Sequence, residues 1–169
     1  MTRGVMKLDN WKDDKRWSDK FLPEIKMILG LHLIGEPPTE EDAERNTDLI
    51  VLKMEPVRIA CRIRRYKYHA IYPEDITIRE GRPSGTKTEL TKICEGWGDY
   101  FFYGFSDNSE INLFAWKLCD LKALRVWVFR EMARTGKLPG ISKQNGDGSS
   151  SLRAFKATNI PGLIVASSN

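Results

Sequence analysis

Val57-Arg58-Ile59-Ala60-Cys61-Arg62-Ile63-Arg64-Arg65-Tyr66-Lys67-Tyr68 alternates apolar and cationic residues, and that period of two decides the kind of domain this chain builds. Val57, Ile59, Cys61 and Ile63 fall on one side of an extended strand, with Arg58, Arg62, Arg64 and small Ala60 on the other. The reading predicts a strand over 57–68 with Cys61 in the apolar core. Three arginines on one sheet face repel one another, and no acidic residue alternates with them. Such a face is favourable only beside an anion or an acidic neighbour. Glu74, Asp75 and Glu80 could neutralise the row within the fold; a phosphate backbone could do so from outside, with Tyr66 and Tyr68 stacking on bases or sugars. The second reading nominates Arg58, Arg62, Arg64, Arg65 and Lys67 as nucleic-acid contacts.

Working outward, Asp48 to Leu52 reads as a short apolar strand and Asp75 to Arg79 as another. Thr88 to Glu95 reads as a helix burying Leu90 and Ile93. Tyr100 to Phe105 is an aromatic strand expected to be central, and Ile111 to Leu118 follows it. Asp120 is positioned to cap a helix over Leu121 to Arg134, with Leu121, Leu124, Val128 and Met132 on its inner face and Thr135-Gly136 as its stop. Leu152 to Ala157 and Leu163 to Ala166 are the last ordered pieces. Near the N-terminus, Ser18 is the expected cap of a helix whose inner face is Phe21, Ile25, Ile28, Leu29 and His32. The order predicts an α/β (α+β) domain over 18–169, with a mixed central sheet flanked by helices. A charged, solvated segment over 1–17 precedes it, and a flexible loop interrupts it at 144–151.

Composition bounds the rest. The chain has 169 residues, 41% apolar and 30% charged, with a mean hydropathy of -0.43. This excludes a wholly disordered, a membrane-spanning or a collagen-like chain. Cys61, Cys94 and Cys119 form no CxxC, and with no export signal they read as reduced thiols of a cytoplasmic protein. His32 and His69 are too far apart in sequence to suggest a zinc site. Twenty-seven Lys and Arg stand against 23 Asp and Glu, a mild bias of +4 toward acidic partners.

The element order, with an Asp opening one strand and a cationic strand directly after it, resembles the PD-(D/E)XK nuclease superfamily, whose core is αβββαβ. Thr47-Asp48-Leu49 looks like the first half of its signature, and Ala60-Cys61-Arg62 occupies the place of the second. No proline precedes Asp48, Ala60 stands where the superfamily has glutamate, and Arg62 stands where it has lysine. The resemblance implies a nuclease dependent on Mg²⁺ or Mn²⁺, with Asp48 as metal ligand. It nominates Glu89 as a displaced second ligand, or Glu24 on the first helix, and Arg62 as the cation on the phosphate. Arginine cannot act as a base, so Arg62 would only bind charge. Asp48 reads equally as a turn cap or an arginine partner, and Glu24 and Glu89 as solvated helix residues.

Three functions stay open on these grounds. One is a metal-dependent DNA nuclease. Another is a non-catalytic DNA- or RNA-binding protein on the same scaffold. The last is a protein-interaction module, with a phage or mobile-element setting suggested by the small basic format. Gly81-Arg82-Pro83-Ser84-Gly85-Thr86-Lys87-Thr88 lacks Walker spacing, although Lys87 before a helix is placed to touch phosphate. Gly96-Trp97-Gly98 reads as a packing corner with Trp97 buried, and Trp127 and Phe129 as core or as a dimer surface.

Overall fold

The computed structural model describes residues 10–31, 34–35, 50–51, 57–146 and 148–168. The chain divides into two compact units, Met1–Glu55 and Pro56–Asn169. In the first, helices α1 (Asn10–Asp19) and α2 (Leu22–Leu31) are followed by a two-stranded antiparallel ribbon, β1 (Ile34–Gly35) with β2 (Ile50–Val51). Ser18 does not cap a helix. It lies inside α1, where its hydroxyl donates to the Lys15 carbonyl and Lys15 pairs with Asp19 one turn on. Those local bonds extend helix into the charged segment, and the chain breaks at Lys20–Phe21 instead. Phe21 and Ile25 are buried as expected.

The second unit is mixed α/β. Its elements are β3 (Ile59–Arg64), α3 (Tyr66–Ile71), β4 (Asp75–Gly81), α4 (Glu89–Cys94), β5 (Tyr100–Ser106), β6 (Leu113–Asp120), α5 (Leu121–Thr135), β7 (Ile141–Gln144), β8 (Ser151–Lys156) and β9 (Ile164–Ser167). The strands form two sheets, β3-β5-β6-β9 and β4-β8-β7. β3 runs parallel to β5, while β5, β6 and β9 are antiparallel neighbours, so the larger sheet is mixed with aromatic β5 inside it.

Strand alternation assigns the faces. Phe101, Tyr103 and Phe105 of β5 enter one core with Ile76 and Ile78 of β4, Leu90 and Ile93 of α4, and Leu121, Leu124 and Val128 of α5. Phe102 takes the opposite face, fully buried and stacked on Trp116 with ring centroids 5.5 Å apart. Gly104 is required there, because a Cβ would come within 2.9 Å of Ile63 Cδ1. Asp120 caps α5 as its sequence predicts, accepting the backbone N–H groups of Lys122 at 2.6 Å and Ala123 at 3.1 Å. Thr88 caps α4, and Gly136 ends α5 in the left-handed conformation.

Several expectations change. The strand over 57–68 stops at Arg64, and residues 66–71 turn into α3. Tyr66 packs edge-on against Phe114, and His69 against Phe105 and Phe114, at 4.9–5.0 Å. These tertiary contacts favour a helix over continued alternation. Cys61 and Val57 are exposed, not core, because β3 is an edge strand and only Ile63 of that face is buried. Trp97 is 61% exposed, since left-handed Gly96 and Gly98 turn it outward. Met132 and Phe129 lie on the outer side of α5, while Trp127 meets Phe155 edge-on. Among the described residues no helix is long and apolar enough to cross a membrane.

Candidate nucleic-acid interface

Register decides where the arginines go. Arg62 is opposite Tyr103 and Arg64 opposite Phe105 on the parallel neighbour β5, so both arginines share the face that carries the core. The cationic side of β3 therefore points inward, at the margin of the core toward the smaller sheet. Both side chains are half-buried and must find partners there.

Arg62 finds a carboxylate. Its Nη2 lies 2.5 Å from Oε2 of Glu89, the first residue of α4, and the same oxygen accepts the Arg79 backbone N–H at 3.2 Å. Burial by itself would push the Glu89 carboxyl up; the Arg62 charge and hydrogen bond, with the Arg79 contacts, outweigh it and hold the group below the ordinary glutamate range. The two catalytic candidates Arg62 and Glu89 thus meet, each neutralising the other.

Arg64 has a different environment. Its Nη1 donates to Thr77 Oγ1 at 2.8 Å, Thr77 Oγ1 lies 3.1 Å from Tyr103 Oη, and the guanidinium carbon stands 4.2 Å from the centre of the Tyr68 ring. Among the described residues these partners are all neutral. A hydroxyl and a ring face orient a guanidinium without cancelling its charge.

Thr77, Ala154 and Leu152 share one face of the smaller sheet with Lys143, through the pairs Thr77–Ala154 and Lys143–Leu152. That face and the Arg64 end of β3 enclose a cleft of about 230 Å³, entirely within the second unit. Lys143 Nζ sits 3.9 Å from the centre of the Tyr72 ring at its wall. Two cations, each laid on a tyrosine, therefore converge on one concavity, with Asp75 as its carboxylate. Tyr103 is buried to its hydroxyl, and Tyr72 is 40% exposed.

The remaining nominated cations are spread more widely. Arg65 pairs with Glu110, and Lys87 with both carboxylate oxygens of Glu95 at 2.7 and 2.9 Å. Lys67 lies 5.2 Å from the Tyr68 ring centre. Arg58 is exposed, and its backbone N–H donates to Asp99 Oδ2 at 2.7 Å. Of the acids expected to balance the arginine strand, Glu80 bonds Arg153 and Ser142, Glu74 faces Lys156 at 3.8 Å, and Asp75 lines the cleft with Arg64. Glu24 lies in the first turn of α2, in the other unit, and Asp48 lies outside the described residues.

The ligand set implied for Mg²⁺ or Mn²⁺ is thin at Glu89. One carboxylate flanked by two arginines offers a hard dication little anionic oxygen. Among the described residues no three His, Cys, Asp or Glu side chains come together to hold a metal. Cys119 is buried and its thiol is pushed up to about 12, first by desolvation and against the pull of Lys117, so it is no nucleophile.

Lys143, Tyr72, Thr77 and Tyr103 carry the cleft and were not singled out from the sequence. The signal for Thr77 was present: Ile76 and Ile78 alternate with it, which already turns Thr77 away from the core. Lys143 reaches the cleft through a pairing of β7 with β8 that the short run Ile141–Gln144 does not announce. No protein-family model matches the chain, nor does any curated protein or solved structure.

Proposed function

We propose that this chain binds nucleic acid, with Arg64 and Lys143 as the phosphate contacts of its second unit. What carries the reading is Arg64: a half-buried arginine oriented by Thr77 and Tyr68, with neutral partners among the described residues, facing a second cation across a cleft. A forked, oriented guanidinium donates to phosphate oxygens, as to a carboxylate, with matching geometry. Exposed Arg58 and Lys67 extend the positive surface beside β3. The three free thiols suit a reducing, cytoplasmic setting.

The test is binding of a labelled DNA or RNA strand at low salt without metal, read by fluorescence anisotropy. Binding that weakens when Arg64→Gln and Lys143→Gln are introduced supports the proposal; absence of binding at low salt refutes it.

A second reading, metal-dependent DNA cleavage of the PD-(D/E)XK type, is favoured by one observation. Arg62 and Glu89 meet on neighbouring elements, as a basic strand and a displaced acid in that superfamily would. It needs Asp48, or Glu24, to complete the acid set. Incubating plasmid with Mg²⁺ or Mn²⁺ decides it: cutting that Asp48→Ala abolishes supports cleavage, and intact plasmid leaves binding alone.

A further inference from the structure

We infer that the cleft between the two sheets seats one unpaired nucleotide of a strand, its phosphate on Arg64 and Lys143 and its base against the aromatic wall. This rests on the nucleic-acid reading above and names the substrate class.

The shape of the cleft excludes a duplex. Arg64 is recessed, half-buried beside Tyr103, in a cleft of about 230 Å³. An uninterrupted duplex offers phosphates on a convex surface and keeps its base faces stacked on one another. Neither can enter a concavity this small. A nucleotide that has left the stack can.

A nucleotide presents an anion, a π face and a hydrogen-bonding edge, and the cleft supplies a partner for each. Arg64 and Lys143 stand for the anion, and with Asp75 they leave the site one charge positive. Tyr72, the exposed ring, supplies a stacking face of the kind that accepts any base. The Asp75 carboxylate can accept a base N–H; it would repel a second phosphate, which favours one nucleotide over a tightly folded backbone.

Arg64 over Tyr68 and Lys143 over Tyr72 are cation–π pairs, which keep each charge oriented without neutralising it. An arriving phosphate draws the Lys143 ammonium off the ring, and the freed face of Tyr72 takes the base in its place. Charge capture and stacking are thereby one event.

The experiment compares the intact protein's affinity for three ligands: a fully paired duplex, the same duplex with one unpaired 2-aminopurine nucleotide, and free deoxyadenosine monophosphate. The expected result is binding of the interrupted duplex about tenfold tighter than the paired one, with quenched 2-aminopurine fluorescence. Tyr72→Ala should abolish both the preference and the quenching, and Tyr72→Phe should keep both. Equal affinity for the two duplexes overturns the inference and leaves nucleic-acid binding standing. Free nucleotide bound as tightly as the interrupted duplex overturns it in favour of a mononucleotide site. No binding of any ligand removes both readings.

Discussion

Arg64 Nη1 lies 2.8 Å from Thr77 Oγ1, whereas two residues earlier on the same face of the same strand Arg62 Nη2 lies 2.5 Å from the Glu89 carboxylate. Among the described residues, one arginine is bonded to a carboxylate and the other to a hydroxyl and a ring face. Half-buried charge that is oriented but not cancelled keeps its demand for an anion. That difference separates the two arginines, and the row Arg58, Arg62, Arg64 does not share one environment.

The Arg62–Glu89 pair should report itself in acid. Glu89 is held below its ordinary value of 4.5, so the stability it contributes is present above that pH and is lost as pH falls through the lowered folded value. Its side chain is 39% exposed, so the pair is worth only about 1 kcal/mol. Arg62→Gln should destabilise by about that amount at pH 7, with the difference shrinking toward zero as pH falls below 4.5. Urea melts across pH 3 to 7 check this, and a deficit that does not change with pH contradicts it.

The cap of α5 makes a simpler prediction. Asp120 accepts two otherwise unpaired N–H groups, from Lys122 and Ala123. Asp120→Ala should cost about 1 kcal/mol, and Asp120→Ser should restore most of it. Thermal melts of the two variants distinguish a capping role from a general charge effect, which Asp120→Ser would not restore.

Thiol chemistry follows burial. Cys61 is exposed on edge strand β3, and Cys119 is buried with its thiol pushed up to about 12. Iodoacetamide at pH 8 should alkylate Cys61 first, leaving Cys119 unmodified until the protein unfolds. Peptide mapping gives the order. Early labelling of Cys119 in folded protein would contradict its burial in β6.

Much of the second unit is legible in its sequence, for local reasons. Asp120 and Gly136 bracket α5, Thr88 opens α4, and the aromatic run Tyr100 to Phe105 becomes the internal strand that its composition suggests. The failures share a cause. Alternation over Val57 to Tyr68 correctly separates two faces, but it cannot say which one meets the core; that was settled by the parallel register of Arg62 with Tyr103. The end of β3 and the start of α3 depend on Phe105 and Phe114, nearly 50 residues away at the farthest. The candidate site divides in the same way. Arg64 is nominated by its own strand, whereas Lys143 arrives through two successive pairings, β4 with β8 and β8 with β7, and carries no local mark.

The most direct test of the account is the salt dependence of binding to a single strand, measured for the unmodified protein and for the Arg64→Gln/Lys143→Gln double variant. Each phosphate contact to a single strand contributes a slope of about 0.7 in log affinity against log salt. Loss of both cations from the cleft, which hold one phosphate between them, should lower the slope by about 0.7 and weaken binding at low salt, with the melting temperature little changed. An unchanged slope and affinity in the double variant would contradict the account, because the phosphates would then be held elsewhere on the molecule.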